Sequence, residues 1–263
     1  MGNRMLWYKA WLDTRWRFFG GLLIVMIAAC GVVLSHPRAL AVMAAIDQAP
    51  GAVLGSGPVA TRLAEALTMA RVYRGYVFTQ LYQQELPQIW CLFAMLLGAG
   101  GIVSQAARGG GVFTLSLPVS RQQIVAIRAG VALIELLVLA VLPAFLVPLL
   151  SPVVGQSYGL SEGLVHAALL FGGGAVFFCF TFLMSSIFSD PWRPPMMMAA
   201  LFFVVATVRT LVPGFTRLTL APVITGSTYF LDRSIPWTAL LLSLLTSAVL
   251  LVVATRNVAR RDF

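Results

Sequence analysis

The chain has 263 residues, of which 59% are hydrophobic and only 10% are charged, and its formal net charge is +9. An ordinary soluble domain is about 25% charged, so this composition excludes a soluble fold. The single lysine, Lys9, is not preceded by a glycine-rich phosphate-binding loop, so we expect no ATPase site in this chain.

The first residues predict an interfacial helix and then a first membrane span. Residues 5–18 carry tryptophans on one helical face and charged side chains on the other, a pattern typical of the headgroup region. We therefore expect a helix on the inner leaflet that turns into a first span at about 18–35; a straight cytoplasmic extension of that span is the alternative. The stretch before Cys30 also resembles a lipoprotein cleavage box, but the apolar run continues to Leu34, which favours a span.

Five further apolar runs have the roughly 20 residues needed to cross a bilayer. They lie at about 88–107, 124–150, 163–188, 195–212 and 236–254. Between the first two spans, helical periodicity at about 58–86 predicts an amphipathic outer segment, which is either a lid over an exit or a cover for span edges. The sequence thus predicts an all-α integral membrane protein with six transmembrane helices in one domain, 1–263.

The basic residues predict orientation rather than nucleic-acid binding. Most are arginines at the ends of apolar runs, where they anchor to lipid headgroups. With six spans, more of the basic residues fall on the side of the membrane that holds the N-terminus than on the opposite side. On that opposite side, the connection at 151–162 has none. We therefore expect a multi-pass protein of the cell membrane with both termini in the cytoplasm and lipid as a partner.

Three ionisable residues fall inside predicted spans and are functional candidates because burying them in lipid is costly. Counted at 1.5 Å per helical residue from the inner face, Glu135 lies about 18 Å deep and Arg209 about 22 Å deep. We expect these two to pair, either to fix packing or to line a substrate path. Arg128, about 6 Å deep on the same scale, can reach the inner headgroups. The sequence offers no catalytic or metal-binding constellation, since its only histidines are His36 and His166.

The cytoplasmic connection between the second and third spans carries the most specific motif, RGGGVFTLSLPVSR at 108–121. Ser120, behind Pro118, is placed to cap the helix of the third span. The spacing of RG and PVSR, with TLSL before the proline, resembles the cytoplasmic signature of the permease subunits of type-2 ABC exporters.

The resemblance implies an architecture and a division of labour. Six spans, an N-terminal interfacial helix and a short cytoplasmic coupling helix recur in that family. A second permease copy, as a homodimer or heterodimer, would complete the path in the bacterial inner membrane. Separate ATP-binding subunits would hold the ATP, and this chain would have no cofactor of its own. The residues expected to dock those subunits are Phe113, Leu115, Leu117, Pro118 and Arg121, with Asp13 and Arg17 near the first span.

Two other classes stay open at this stage. One is a non-transporting membrane protein for assembly or anchoring, and the other is a membrane-embedded enzyme. The enzyme would need a catalytic constellation, and the anchoring protein has no reason to keep Glu135 and Arg209 at similar depth. Nothing in the sequence selects a transported substrate.

Overall fold

The computed structural model describes residues 2–48, 68–99, 120–211 and 220–260, which are about 90% helical and contain no strand. The all-α fold class is therefore confirmed for these ranges. The helices are α1 (Gly2–Gln48), α2 (Tyr73–Val77), a π-helix (Phe78–Glu85), α3 (Leu86–Gly98), α4 (Arg121–Leu150), a short 3-10 turn (Ser151–Val154), α5 (Leu160–Ile187), α6 (Arg193–Leu211), α7 (Ala221–Thr225), α8 (Ser227–Asp232) and α9 (Trp237–Ala259).

Four of the described helices are long and apolar enough to cross a membrane. They are Arg4–Ala45, Gln122–Val154, Leu160–Ile187 and Trp237–Ala259, which match the first, third, fourth and sixth predicted spans. The fifth predicted span lies in α6, whose part Arg193–Val205 is apolar but shorter than the four helices above. The second predicted span is described only as far as Ala99. The lengths and composition of these helices are those of a membrane protein.

The N-terminal region differs from the expected interfacial helix because α1 is continuous from Gly2 to Gln48. The turn expected near residue 18 does not occur, which agrees with the alternative of a straight extension, and the helix continues through Pro37, beyond the predicted end of the span at about 35. A proline inside a helix removes one backbone hydrogen bond, so tertiary contacts have to hold the chain there. His36 provides them, since its buried ring lies 4.8 Å from the Tyr73 ring and 5.1 Å from the Tyr76 ring.

Residues 73–98 form one helical rod that packs against α1 and contains the π-helix in its middle. The rod runs antiparallel to α1, because Tyr76 hydrogen-bonds Ser35 at one end and Arg17 bonds the carbonyl of Leu96 at the other. A proline is expected to end or kink a helix, but the helical rod continues through Pro87, which lies in the first turn of α3. The predicted outer segment at 58–86 is thus described only from residue 68, and its last part lies along α1.

Helix α5 is the centre of the bundle and contacts α3, α4, α6, α7 and α9. Glycines let these neighbours approach: a Cβ at Gly163 would lie 2.8 Å from the Ala144 backbone, and one at Gly174 would lie 2.3 Å from the Trp90 ring. The indole N–H of the fully buried Trp90 donates to the carbonyl of Leu136 at 2.9 Å. Close approach and this hydrogen bond join α3, α4 and α5 into one core.

Candidate functional site

The residues predicted for the site fall into two groups, those that the structure describes and those that it does not. Outside the described residues lie Phe113, Leu115, Leu117 and Pro118. Arg121 and Arg209 lie in the helices α4 and α6, but their side chains are not among those described. The expected docking surface and the expected pairing of Glu135 with Arg209 therefore stay predictions.

The described candidates meet where α1 packs along α4. Glu135 is buried, and its Oε1 accepts a hydrogen bond of 2.7 Å from the hydroxyl of Thr14, which is also buried. Thr14 in addition bonds the carbonyl of Ala10, one turn earlier in α1, at 3.2 Å. The other oxygen of Glu135, Oε2, has no hydrogen-bond partner among the described residues. Helix α1 therefore supplies one of the groups that satisfy this carboxyl inside the bundle.

Arg128 lies nearer to the start of α4, and its side chain is also buried. The Asp13 carboxylate attracts it and the Arg17 guanidinium repels it, so Asp13 offsets part of the cost of burying Arg128. Arg17 donates a hydrogen bond of 2.6 Å to the carbonyl of Leu96 in the last turn of α3. A cation at that position compensates the negative end of the helix dipole. Arg17 thereby connects α1 to the end of α3, directly before residues 100–119.

We call Asp13, Thr14, Arg17, Arg128 and Glu135 the α1–α4 polar layer. Apolar packing lies beside it, in a cluster formed by Leu6, Ala10, Ile127 and Val131. Trp7 reaches Gly130, where a Cβ would lie 3.2 Å from the indole ring. The first three turns of α1 therefore lie lengthwise against α4.

The junction between the predicted coupling segment and α4 is stiffened by a helix cap. Ser120 has an extended backbone conformation, and its hydroxyl accepts from the backbone N–H of Gln123 at 3.3 Å. This confirms the cap predicted from sequence. The cap satisfies one of the free N–H groups at the start of α4 and so stabilises its first turn.

A second polar cluster occupies the opposite end of the bundle. Both oxygens of Glu162 bind an arginine at 2.8 Å, Oε2 from Nε of Arg74 and Oε1 from Arg233. The hydrogen bond from Arg233 to Glu162 raises the pKa of the Arg233 guanidinium. Arg74 also lies 4.8 Å from the centre of the Phe230 ring, which stacks on Phe78 at 3.9 Å. Two separate parts of the chain, the rod that starts at Tyr73 and the segment around Arg233, are thus tied to the first turn of α5.

His166 is buried behind this ion pair and surrounded by aromatic rings. Its ring stacks on Tyr82 at 4.5 Å and meets Tyr229 edge-on at 5.6 Å. Gly226, with φ of +66°, lies so close that a Cβ there would be 2.4 Å from Nδ1 of His166. Nδ1 has no hydrogen-bond partner among the described residues. The left-handed backbone of Gly226 makes this close approach possible.

Sequence reasoning missed Thr14 and Glu162 as site residues. Thr14 shares a face with Trp7, Trp11 and Phe18, so its position on the buried side could have been found, but its partner lies 121 residues away. Glu162 is the last residue of the connection before the predicted span at 163–188, and its partners could not be found because Arg74 and Arg233 are remote in sequence. Within the described parts of the chain, no group of three or more His, Cys, Asp and Glu side chains could hold a metal ion.

The fold and these clusters define an all-helical protein with the composition of a membrane protein and buried ionisable groups between its helices. No family model, curated protein or solved structure matches the chain.

Proposed function

We propose that the chain is the membrane-spanning subunit of an ATP-driven exporter of the type-2 ABC class. In this proposal it crosses the membrane six times with both termini in the cytoplasm. It pairs with a second permease copy and is moved by separate ATP-binding subunits. The motif at 108–121 and the absence of a phosphate-binding loop in the sequence support this division of labour.

One observation carries the proposal: α4 begins within the last two residues of the motif, with Ser120 as its cap, and is joined to α1 through buried polar contacts. A push on residues 113–121 would reach α4 through the Ser120 cap. The hydrogen bond between Glu135 and Thr14 would then carry the displacement to α1. A buried polar contact has few alternative arrangements, so it favours movement of the two helices as a unit over sliding between them.

The first test is purification from native membranes with identification of the bound subunits. We expect an ATP-binding subunit to remain attached and its ATPase activity to depend on the permease. The variant Pro118→Ala with Arg121→Ala should insert normally but lose the coupling between ATP hydrolysis and transport. Arg256→Ala, which removes an exposed cation elsewhere, serves as the control and should stay coupled. Fully coupled transport in the Pro118 and Arg121 double variant would overturn the docking assignment, and a chain that purifies without any ATP-binding subunit would favour an anchoring role.

A further inference from the structure

The described surface carries an open groove of about 370 Å³ between α1 and the helical rod that starts at Tyr73. Its lining residues are Ile24, Ile27, Ala28, Gly31, Val32 and Ser35 of α1, and Tyr76, Gln80 and Glu85 of the rod. The α1 side is apolar apart from Ser35, whereas the facing side is polar and includes one carboxylate. Small ligands bind in apolar pockets of this size that place a few polar groups precisely.

Glu85 is the unusual member of this lining. It is exposed, and no cation pairs with it among the residues that the structure describes. It nevertheless shares the groove with Ile24, Ile27 and Ala28, which belong to the apolar run of the first predicted span. A carboxylate beside exposed apolar residues of a candidate membrane helix is costly without a positive partner, and such residues are functional candidates by default.

The π-helix is what turns Glu85 into the groove. Glu85 follows Tyr76 by nine positions. In a regular α-helix nine positions make about two and a half turns, so the side chains of Tyr76 and Glu85 would lie on opposite faces. The wider π-helical turns of Phe78–Glu85 need fewer turns for the same residues, and both side chains line one groove. Leu86 N–H bonds the carbonyl of Leu81, five residues back, at the end of this segment. Single π-helical insertions are rare and are frequently found at functional sites.

We propose that this groove binds a lipophilic cation, with its apolar body on Ile24, Ile27 and Gly31 and its positive charge beside Glu85. The negative charge of Glu85 attracts a cation and repels an anion, so it selects a cation. A lipid acyl chain would fill the apolar wall but would leave the carboxylate without a partner. For the transport subunit proposed above this ligand class would be a substrate class, and in that respect the inference rests on the proposed function.

The test measures equilibrium binding of radiolabelled tetraphenylphosphonium to the purified full chain in phosphatidylcholine nanodiscs, with empty nanodiscs subtracted. Tetraphenylborate, an anion of the same shape, is the matched ligand. We expect saturable binding of the phosphonium ion and none of the borate above the nanodisc background. This measurement needs no ATP-binding subunit, so a failure of binding overturns the groove assignment alone. A failure to recover an ATP-binding subunit affects only the proposed function.

Two variants locate the site. Glu85→Gln should weaken phosphonium binding about tenfold or more by removing the charge. Restoring a carboxylate one position away, as Gln84→Glu combined with Glu85→Gln, should not rescue it, because neighbouring residues face different sides of the helix. Rescue by this double variant would show nonspecific attraction of the cation and overturn the site.

Gly31→Leu tests the apolar wall. A Cβ at Gly31 meets nothing within 4 Å, so the side chain can start there without a clash, and a leucine at this lining position should occupy part of the groove. Gly20 is equally open and does not line the groove, which makes Gly20→Leu the control. We expect loss of phosphonium binding in Gly31→Leu and wild-type binding in Gly20→Leu. Unchanged phosphonium binding in Gly31→Leu would overturn the proposal. If light scattering then also shows a shift from dimer to monomer, the groove is assigned to a second copy of the chain instead.

Discussion

Thr14 of α1 and Glu135 of α4 are joined across the helix interface by a hydrogen bond of 2.7 Å in which the threonine hydroxyl donates. We expect Thr14→Val to lower the free energy of unfolding by roughly 1 kcal/mol, because a single hydrogen bond between membrane helices typically contributes about that much. Thr14→Ser keeps the donor and should retain most of the stability. Unfolding in mixed micelles of detergent and dodecyl sulfate, followed by tryptophan fluorescence, measures both. Equal stability of the valine and serine variants would show that the contact contributes nothing.

This contact illustrates what sequence can and cannot predict here. Hydrophobic runs predicted the helices α4, α5 and α9 with boundaries close to those observed, since length and composition decide whether a segment forms a membrane helix. The partner of Glu135 could not be predicted, because depth counting assumes that helices are vertical and says nothing about which faces meet. Depth counting proposed Arg209, whose side chain is not among those described, and gave no sign of Thr14, which the structure shows bonded to Glu135.

The shape of α1 and the π-helix also depend on tertiary contacts. Tryptophan and arginine near the N-terminus predicted a helix in the membrane plane, but packing of Trp7 on Gly130 aligns that region with α4. Pro37 would normally end a helix, and the rings around His36 hold the chain helical through it. No local pattern marks Phe78–Glu85 as π-helical, although Pro87, which lacks an N–H group, lies two residues after its end.

Helices α4 and α5 should be sensitive to a methyl group at Gly163. An alanine Cβ there would lie 2.8 Å from the Cα atom of Ala144, so the two helices would have to separate. We expect Gly163→Ala to cost about 1–3 kcal/mol, the usual penalty of overpacking. Gly20→Ala is the control, because its Cβ meets nothing within 4 Å and alanine favours helix over glycine. Thermal unfolding in detergent should show a lower midpoint for Gly163→Ala and an unchanged or higher one for Gly20→Ala. The same midpoint for both variants would argue against close α4–α5 contact at this level.

The double ion pair of Glu162 should hold the segment between α7 and α9 in place. Glu162→Gln removes the charge that binds Arg74 and Arg233, and we expect faster amide hydrogen exchange in residues 221–236. The loss of stability should be modest, about 1 kcal/mol, since both arginines are partly exposed to solvent. Asp190→Asn is the matched control because it breaks an exposed pair with Arg193 at 3.6 Å. Exchange in residues 221–236 that is the same in both variants would contradict a structural role for Glu162.

Tyr158, in the connection between α4 and α5, should make the protein sensitive to alkaline pH. Burial raises the pKa of its phenol, and the nearby Tyr82 and Glu162 raise it further. The folded chain therefore keeps this proton above about pH 10, where an unfolded tyrosine loses it, so stability falls as the pH rises through that range. Tyr158→Phe removes the titrating group and should make the fall less steep. At pH 7 the effect of Tyr158→Phe should be small, because the contact of this hydroxyl with Tyr82 is offset by the cost of burying it. Unfolding midpoints measured from pH 7 to 11 test this, with Tyr8→Phe, at a residue 62% exposed, as the control. A slope that Tyr158→Phe leaves unchanged would show that this phenol does not control the alkaline transition.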